Sequence, residues 1–349
     1  MATMQAVILA GGKGTRLRPL TLHTPKPVMP LAGQPFLTYQ LDLLKRVDVR
    51  DVVLSLSYQP QKIEDVFGDG SHHGTLIRYV VEAQPLGTAG AFKNARDVID
   101  SRTIVFNGDV LTDIDLRAVV TFHEERKSAV TIVLTPVENP RAYGLVETEP
   151  DGAVRRFLEK PKGDQITTNN INAGIYVIEP EILKHIPADE VFSFEYDLFP
   201  SLLAKGVPVF GYTSSDYWID IGTPRRCLRA NLDLLAGKLP HAPMAPRVRG
   251  ERVDAKASVD ELSWIDADAT IKSGAQIVNS VIEANCVIEE KAVIENSVVR
   301  RSTRIGQSVA LRDSIVGLSC HIGRFASVER VALGDKSVLT DYTIIGDLA

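Results

Sequence analysis

The stretch AVILAGGKGTRLRPLTLHTPKPV, residues 6–28, runs from a short apolar segment into Gly11, Gly12 and Gly14, then into Arg16, Arg18 and Lys26. A strand that ends in glycines sets a tight turn at its C-terminal edge, where open α/β sheets bind ligands. Glycine lets the backbone approach a phosphate closely, and successive N–H groups form a nest for an anion. The two commonest phosphate motifs both fail. Gly12-x-Gly14-x-x-Leu17 lacks the third glycine of a dinucleotide fingerprint, and no G-K-[ST] ending marks a P-loop. The distinctive feature is Arg16 followed, ten residues later, by Lys26 inside PKP. A guanidinium forks two phosphate oxygens and an ammonium supplies a compact charge. The glycines taken alone read equally well as a strand-to-helix turn with solvated cations.

Outward from this turn, apolar runs alternate with amphipathic segments through about residue 235: VVLSLSY (52–58), IRYVVE (77–82), TIVFNGD (103–109) and AVTIVLT (129–135). FLTYQLDLLKRV (36–47) carries Leu37, Leu41 and Leu44 at helical spacing. Pro60 suits the start of a helix bearing Ile63 and Phe67. This alternation predicts a Rossmann-like, mostly parallel sheet in an α/β layer fold. LPHAPMAPRVRGER (239–252) reads as a linker, rich in proline and basic residues. Beyond it the texture changes. Val259, Ile265, Ile271 and Ile277 recur in steps of six, as do Val287, Val293, Val299 and Ile305, then Val316, Ile322 and Val328, then Val338 and Ile344. Such a period suits a triangular coil with one aliphatic residue per side pointing inward, a β-helix of hexapeptide repeats. The alternative is an irregular β-sandwich.

Composition narrows the class. The chain of 349 residues is long enough for two domains, and its net charge of −5 provides no broad basic field for nucleic acid. The 3 cysteines, Cys227, Cys286 and Cys320, form no CxxC pair, which argues against a disulfide scaffold or zinc site. His72 and His73 read as exposed loop histidines, and His321, alone among the repeats, as a surface residue. No apolar run approaches the ~20 residues that span a bilayer. The opening MATMQAVILA lacks the marks of a secretion signal. A soluble cytoplasmic protein is expected.

Four further segments carry chemistry. EAQPLGTAGA (82–91) is a second glycine-bearing loop, able to present backbone groups to a base or simply a turn and helix start. VFNGDV (105–110) ends a strand in Gly108 and Asp109; the carboxylate suits a divalent ion bridging phosphates, or a helix cap. In YWIDIGTP (217–224), Asp220 lies between Ile219 and Ile221, a costly place for an acid unless it is paired or metal-bound. FLEKP (157–161) offers Glu159 and Lys160, and NINAGIYV (170–177) offers Asn172, groups suited to sugar hydroxyls and a sugar phosphate. Each also reads as an ordinary hairpin or turn.

Together, LAGGKGTRLRPLT, PKP, EAQPLGTAGA, NGD, AYGLVE, EKP, NAGIYV and WIDIGTP stand in the order of a known family. Over residues 4 to about 233 the chain resembles the sugar-1-phosphate nucleotidyltransferases, also called nucleotide-sugar pyrophosphorylases. EAQPLGTAGA, YGLVE, INAGIY and the repeats make it similar to the mannose-1-phosphate guanylyltransferase branch. The resemblance implies a catalytic domain over 1–235, a linker over 236–252 and a left-handed β-helix over 253–349. It implies GTP and mannose 1-phosphate as substrates, Mg²⁺ as cofactor, and a homo-oligomer assembled through the β-helix. Arg16 would stabilise the leaving pyrophosphate and Lys26 the triphosphate, with Asp109 and Asp220 holding the metal. Leu9, Ala10, Gly11, Gly12, Gly14, Thr15, Gln84, Gly87, Thr88 and Gly108 would shape the nucleotide pocket. Lys160 would fix the sugar phosphate, with Tyr143, Gly144, Glu159, Asn172 and Gly174 around the sugar. Thymidylyl- or uridylyltransferases acting on glucose 1-phosphate, a heptose-1-phosphate guanylyltransferase, and a homologue that binds without reacting stay open.

Overall fold

The computed structural model describes residues 4–159, 163, 166–245 and 252–346. The chain groups into two compact units, Met1–Lys13 with Leu37–Trp218, and Gly14–Phe36 with Ile219–Ala349. Sequence texture changes near residue 235, but the spatial grouping cuts elsewhere. The segment holding Arg16 and Lys26 belongs with the repeats. Residues 236–245 form neither helix nor strand, and 246–251 lie outside the described residues.

The first unit is built on a nine-stranded sheet. Its strands are β1 (Met4–Leu9), β2 (Asp51–Leu56), β3 (Leu76–Val81), β4 (Arg102–Asn107), β5 (Val130–Pro136), β6 (Gly144–Thr148), β7 (Val154–Glu159), β8 (Asn170–Ile178) and β9 (Val209–Thr213). Along one path they lie in the order β7-β6-β8-β4-β1-β2-β3, with β5 on β8 and β9 on β5. β1 pairs in parallel with both β2 and β4, and β2 with β3. β8 enters antiparallel to β4 and β5, so the sheet is mixed. The expected parallel runs hold for the first half: Val7, Ile8, Val53 and Val105 are fully buried, as strands covered on both faces require.

Helices α1 (Phe36–Lys45), α2 (Pro60–Phe67), α3 (Gly87–Asn94), α4 (Leu116–Glu125) and α5 (Phe199–Ala204) connect the strands. Leu37, Leu41 and Leu44 of α1 and Ile63 and Phe67 of α2 are buried, as their spacing predicts. Asp115 caps α4 by accepting from the Arg117 and Ala118 N–H groups.

In the second unit, helix α6 (Pro224–Leu235) is followed by three parallel sheets of six, five and five short strands. These are the faces of a parallel β-helix, consistent with the left-handed type. Ile265, Ile271, Ile277, Val299, Ile305, Val316, Ile322 and Val328 point inward as the period predicts, and four positions are off by one. Ile288 and Ile294 are fully buried rather than Val287 and Val293, and Leu339 packs on the core while Val338 is 68% and Ile344 71% exposed. The reason is coil length. The first coil spans 18 residues, Val259 to Ile277, but later stacked partners such as Asn279 and Asn296 are 17 apart, so one side of those coils is a residue short and a strict six-step drifts outward. That shortened side begins at a serine ladder. Ser280, Ser297 and Val331 each donate N–H to the hydroxyl of the serine one coil earlier, Ser263, Ser280 and Ser314 respectively. His321 is exposed, as expected.

Candidate active site

The glycine turn begins where β1 ends. Leu9 accepts from the Gly108 N–H at 2.9 Å, and the buried Ala10 donates to Ser55 O. A Cβ at position 108 would lie 2.5 Å from that same Leu9 oxygen, so only glycine lets the two strand ends meet. At Gly11 a Cβ would stand 2.7 Å from Glu82 Oε1, whereas Gly12 is exposed with open space around it. Asp109 is half-buried on the turn after β4 and caps no helix, since α4 has Asp115. Gln40 of α1 fixes that turn from below. Its Nε2 donates to Asn107 O at 3.1 Å and Val110 O at 3.0 Å, one on each side of Asp109.

The loop over 82–91 is held by a buried acid. Glu82 Oε2 accepts from the Leu86 N–H at 2.9 Å and Oε1 from Ser55 Oγ at 3.3 Å. Burial pushes its carboxyl pKa up against the opposing Leu86 N–H bond. Gly87, at φ +74°, would place a Cβ 2.8 Å from Phe192 O. Thr88 Oγ1 donates to Glu195 Oε2 at 2.8 Å and accepts from the Phe194 N–H at 2.9 Å. Gly87 and Thr88 therefore lock this loop onto residues 192–195, while Gln84 stays exposed.

The sugar-side candidates gather at one end of the sheet. Asn172 Oδ1 accepts from the Gly174 N–H, and its Nδ2 donates to Tyr176 Oη at 2.8 Å. The Tyr176 hydroxyl in turn donates to Glu195 Oε1 at 3.3 Å, and burial raises its pKa well above the ordinary phenol value. The β8–β5 register breaks between Asn172 and Tyr176, and Gly174 sits there at φ +72° with Asn107 Nδ2 where a Cβ would go, at 2.7 Å. Bulges of this kind re-aim side chains beside functional sites. Gly144 pairs with Glu159, whose Oε2 occupies the space of its missing Cβ. Tyr143 packs edge-on to Trp218 at 5.7 Å, and the Trp218 indole N–H donates to Ala173 O. Asn107 joins the two halves, next to Asp109 in sequence and against Gly174 in space. Lys160 lies outside the described residues.

In the second unit Gly14, at φ +60°, precedes a single turn over Thr15–Leu17, and Thr21 Oγ1 donates back to its carbonyl at 2.7 Å. Thr15 and Arg16 are exposed. The Arg16 guanidinium stands 3.8 Å from Asp220, which is 8% exposed. Asp220 Oδ2 also accepts from Arg226 Nη1 at 2.7 Å, and Oδ1 from the Gly222 N–H at 2.6 Å. The expectation that a buried Asp220 needs partners is met by two arginines and a backbone donor. Lys26 is half-buried at the start of a turn over Lys26–Val28.

The sequence reading missed Gln40, Glu82, Asn107, Glu195 and Arg226. Gln40 had a visible signal, a polar residue on the apolar face of α1; Glu195 had none, because Thr88 lies 107 residues away. Among the described residues no three His, Cys, Asp or Glu side chains cluster as a metal cage, and no helix is long and apolar enough to cross a membrane. A divalent cation shared with phosphates needs only one or two carboxylates, and the hard oxygens of Asp109 and Asp220 suit it.

A glycine turn at a parallel strand end, arginine and lysine just beyond it, and a polar cluster beside a bulged strand define a phosphoryl-transfer enzyme acting on a nucleotide. The chain belongs to the nucleotidyl transferase family, which it matches over residues 5–237, and residues 259–348 match the GMPPB C-terminal domain. It is 42% identical to a mannose-1-phosphate guanylyltransferase of Mycobacterium tuberculosis, covering 79% of this chain and 78% of that one. With mannose-1-phosphate guanylyltransferase 1 of Arabidopsis thaliana the identity is 36%, over 80% and 79%. Among solved structures, HddC from Yersinia pseudotuberculosis complexed with GMP-PN superposes with a TM-score of 0.56 at 33% identity, covering 66% of this chain and 99% of that one. Substrates of this family are a nucleoside triphosphate and a sugar 1-phosphate, and its members generally use a divalent metal.

Proposed function

We propose that this protein transfers GMP from GTP to mannose 1-phosphate, forming GDP-mannose and pyrophosphate. One observation carries the reading: the exposed Arg16 beside the buried Asp220 on a turn continuous with a glycine-lined strand end. In the reaction an oxygen of the sugar phosphate attacks the α-phosphorus in line. That P–O bond forms as the bond to the β-phosphate breaks, and the electron pair leaves on pyrophosphate. No covalent enzyme intermediate is needed, so positioning and charge neutralisation do the catalysis.

Arg16 forks oxygens of the departing pyrophosphate and Lys26 meets the triphosphate. Arg226 and the Gly222 N–H fix the orientation of Asp220. Asp109 and Asp220 would hold Mg²⁺, which when bound neutralises phosphate charge. Gly12 borders open space for the nucleotide while Gly11 and Gly108 let Glu82 and the strand ends close up beside it, with Leu9, Ala10, Gly14 and Thr15 continuing the turn. Gln84, Gly87 and Thr88 border the base through loop position and backbone. Asn172, Glu159, Gly174 and the Tyr143–Gly144 backbone meet the sugar, with Lys160 on its phosphate. The protein works in the cytoplasm as a homo-oligomer joined through the β-helix, with the catalytic functions carried within residues 1–235.

The test is pyrophosphate release from a matrix of four nucleoside triphosphates against mannose, glucose, N-acetylglucosamine and heptose 1-phosphates. GTP with mannose 1-phosphate should give the highest kcat/KM. A preference for dTTP with glucose 1-phosphate would overturn the choice of base and sugar but keep the reaction class. No release with any pair would overturn both.

A further inference from the structure

The segment that bears Arg16 and Lys26 is anchored on the repeats at two points. Between Pro30–Leu31 and Gln34–Pro35 the chain makes a two-residue hairpin turn at Ala32 and Gly33, with φ of +43° and +83°. Ala32 is an unfavourable residue for a left-handed conformation, and its N–H is held by Asn231 Oδ1 of α6 at 2.8 Å. On the other side, Gly33 abuts the ring of Trp264 on the β-helix. A Cβ at position 33 would lie 2.3 Å from Trp264 Cζ2. Trp264 is 5% exposed, and its indole N–H has no hydrogen-bond partner among the described residues. A buried tryptophan without a partner for its N–H gives up a hydrogen bond, so its packing is what it supplies here.

The second anchor is Pro19, three residues after Arg16, which lies 3.1 Å from the Cβ position of Gly334. Trp264 and Gly334 belong to the same face of the β-helix. Trp264–Ile265 is the first strand of that sheet, and Gly334 directly follows its last, Ala332–Leu333. Between them the face buries Arg300, 3% exposed and 4.0 Å from Glu283 and 3.9 Å from Asp335.

We propose that Trp264 is a positioning residue for the nucleotidyl transfer. The β-helix face is the seat on which the segment 14–36 is clamped, so that Arg16 and Lys26 are held where the triphosphate binds. This rests on the reading of those two cations as triphosphate ligands. Misplacing a reacting geometry by about 1 Å costs on the order of 10²-fold in rate.

The experiment is steady-state kinetics of the full chain with GTP and mannose 1-phosphate for Trp264→Ala, Trp264→Phe, Arg16→Ala and, as a control outside every proposed site, the exposed Val66→Ala. Trp264→Ala should raise the KM for GTP and lower kcat, about 10²-fold together in kcat/KM. The KM for mannose 1-phosphate should stay within about twofold, because its candidate ligands belong to the first unit. Loss of folded enzyme alone would scale kcat and leave the KM for GTP unchanged, which counts against the proposal. Trp264→Phe should recover most of the loss. If Trp264→Ala does not fold, Asn231→Ala on the opposite side of the hairpin should raise the KM for GTP and speed hydrogen exchange of residues 26–35, and no change in either overturns the clamp. Near-normal kinetics in Trp264→Ala with a crippled Arg16→Ala overturns the seat alone. Near-normal kinetics in both overturns the catalytic reading itself.

Discussion

At the scale of single residues, the proposed site brings together polar groups that are distant in sequence. Arg16 and Asp220 stand 3.8 Å apart, and Arg226 orients the acid from one turn of α6. Arg16→Ala should leave the fold and melting temperature unchanged, since the side chain is exposed. It should lower kcat by about 10²–10³, the usual cost of removing one donor to developing charge. Pyrophosphate release under saturating substrates measures it, and a rate within threefold of wild type would remove Arg16 from the mechanism. Glycines serve a different purpose at each site. Gly108 lets two strand ends touch and Gly174 makes room for Asn107, whereas Gly12 borders open space.

At the scale of elements, the sheet and α4 share a buried histidine. His123 of α4 contacts Thr131 Oγ1 of β5 at 2.8 Å and Glu179 Oε1 at 3.1 Å. Burial holds its pKa below the ordinary value of about 6.5, opposed by Glu179 and reinforced by Arg102. A lowered folded-state value means stability is present above the unfolded pKa and is lost as pH falls through the folded one. Urea midpoints should therefore be flat from pH 8 to 7 and drop below about pH 6. In His123→Gln that part of the drop should vanish; identical curves for both proteins would refute the assignment. In the repeats the element is the coil, and its inward positions follow the 17-residue stacking rather than a six-residue step.

At the scale of the whole molecule, the chain does not fold as two consecutive beads. It leaves the first unit at Lys13, returns at Leu37 and leaves again after Trp218. The last coil exposes Val338, Tyr342 and Ile344, with Phe325 stacked on Tyr342 at 5.1 Å. An open strand edge with apolar side chains is an assembly surface. Light scattering should accordingly give a multimer at micromolar concentration; a monomer would overturn the proposed homo-oligomer. Much of this was legible in the sequence. Apolar runs and glycine turns announced the sheet, and the aliphatic period announced the β-helix, because local backbone geometry dictates both patterns. The nature of the chemistry was equally legible, since phosphate demands arginine, lysine and glycine close together. Tertiary structure alone decided that β7 and β8 run against the other strands, which aliphatic residues turn inward where the six-step slips, and that Gln40 and Glu195 brace the proposed site. Those depend on contacts between residues tens to a hundred positions apart, and no local pattern encodes a partner at that distance. The same holds for Gly33, an ordinary turn glycine in sequence that becomes the bed of Trp264 only when the chain is folded.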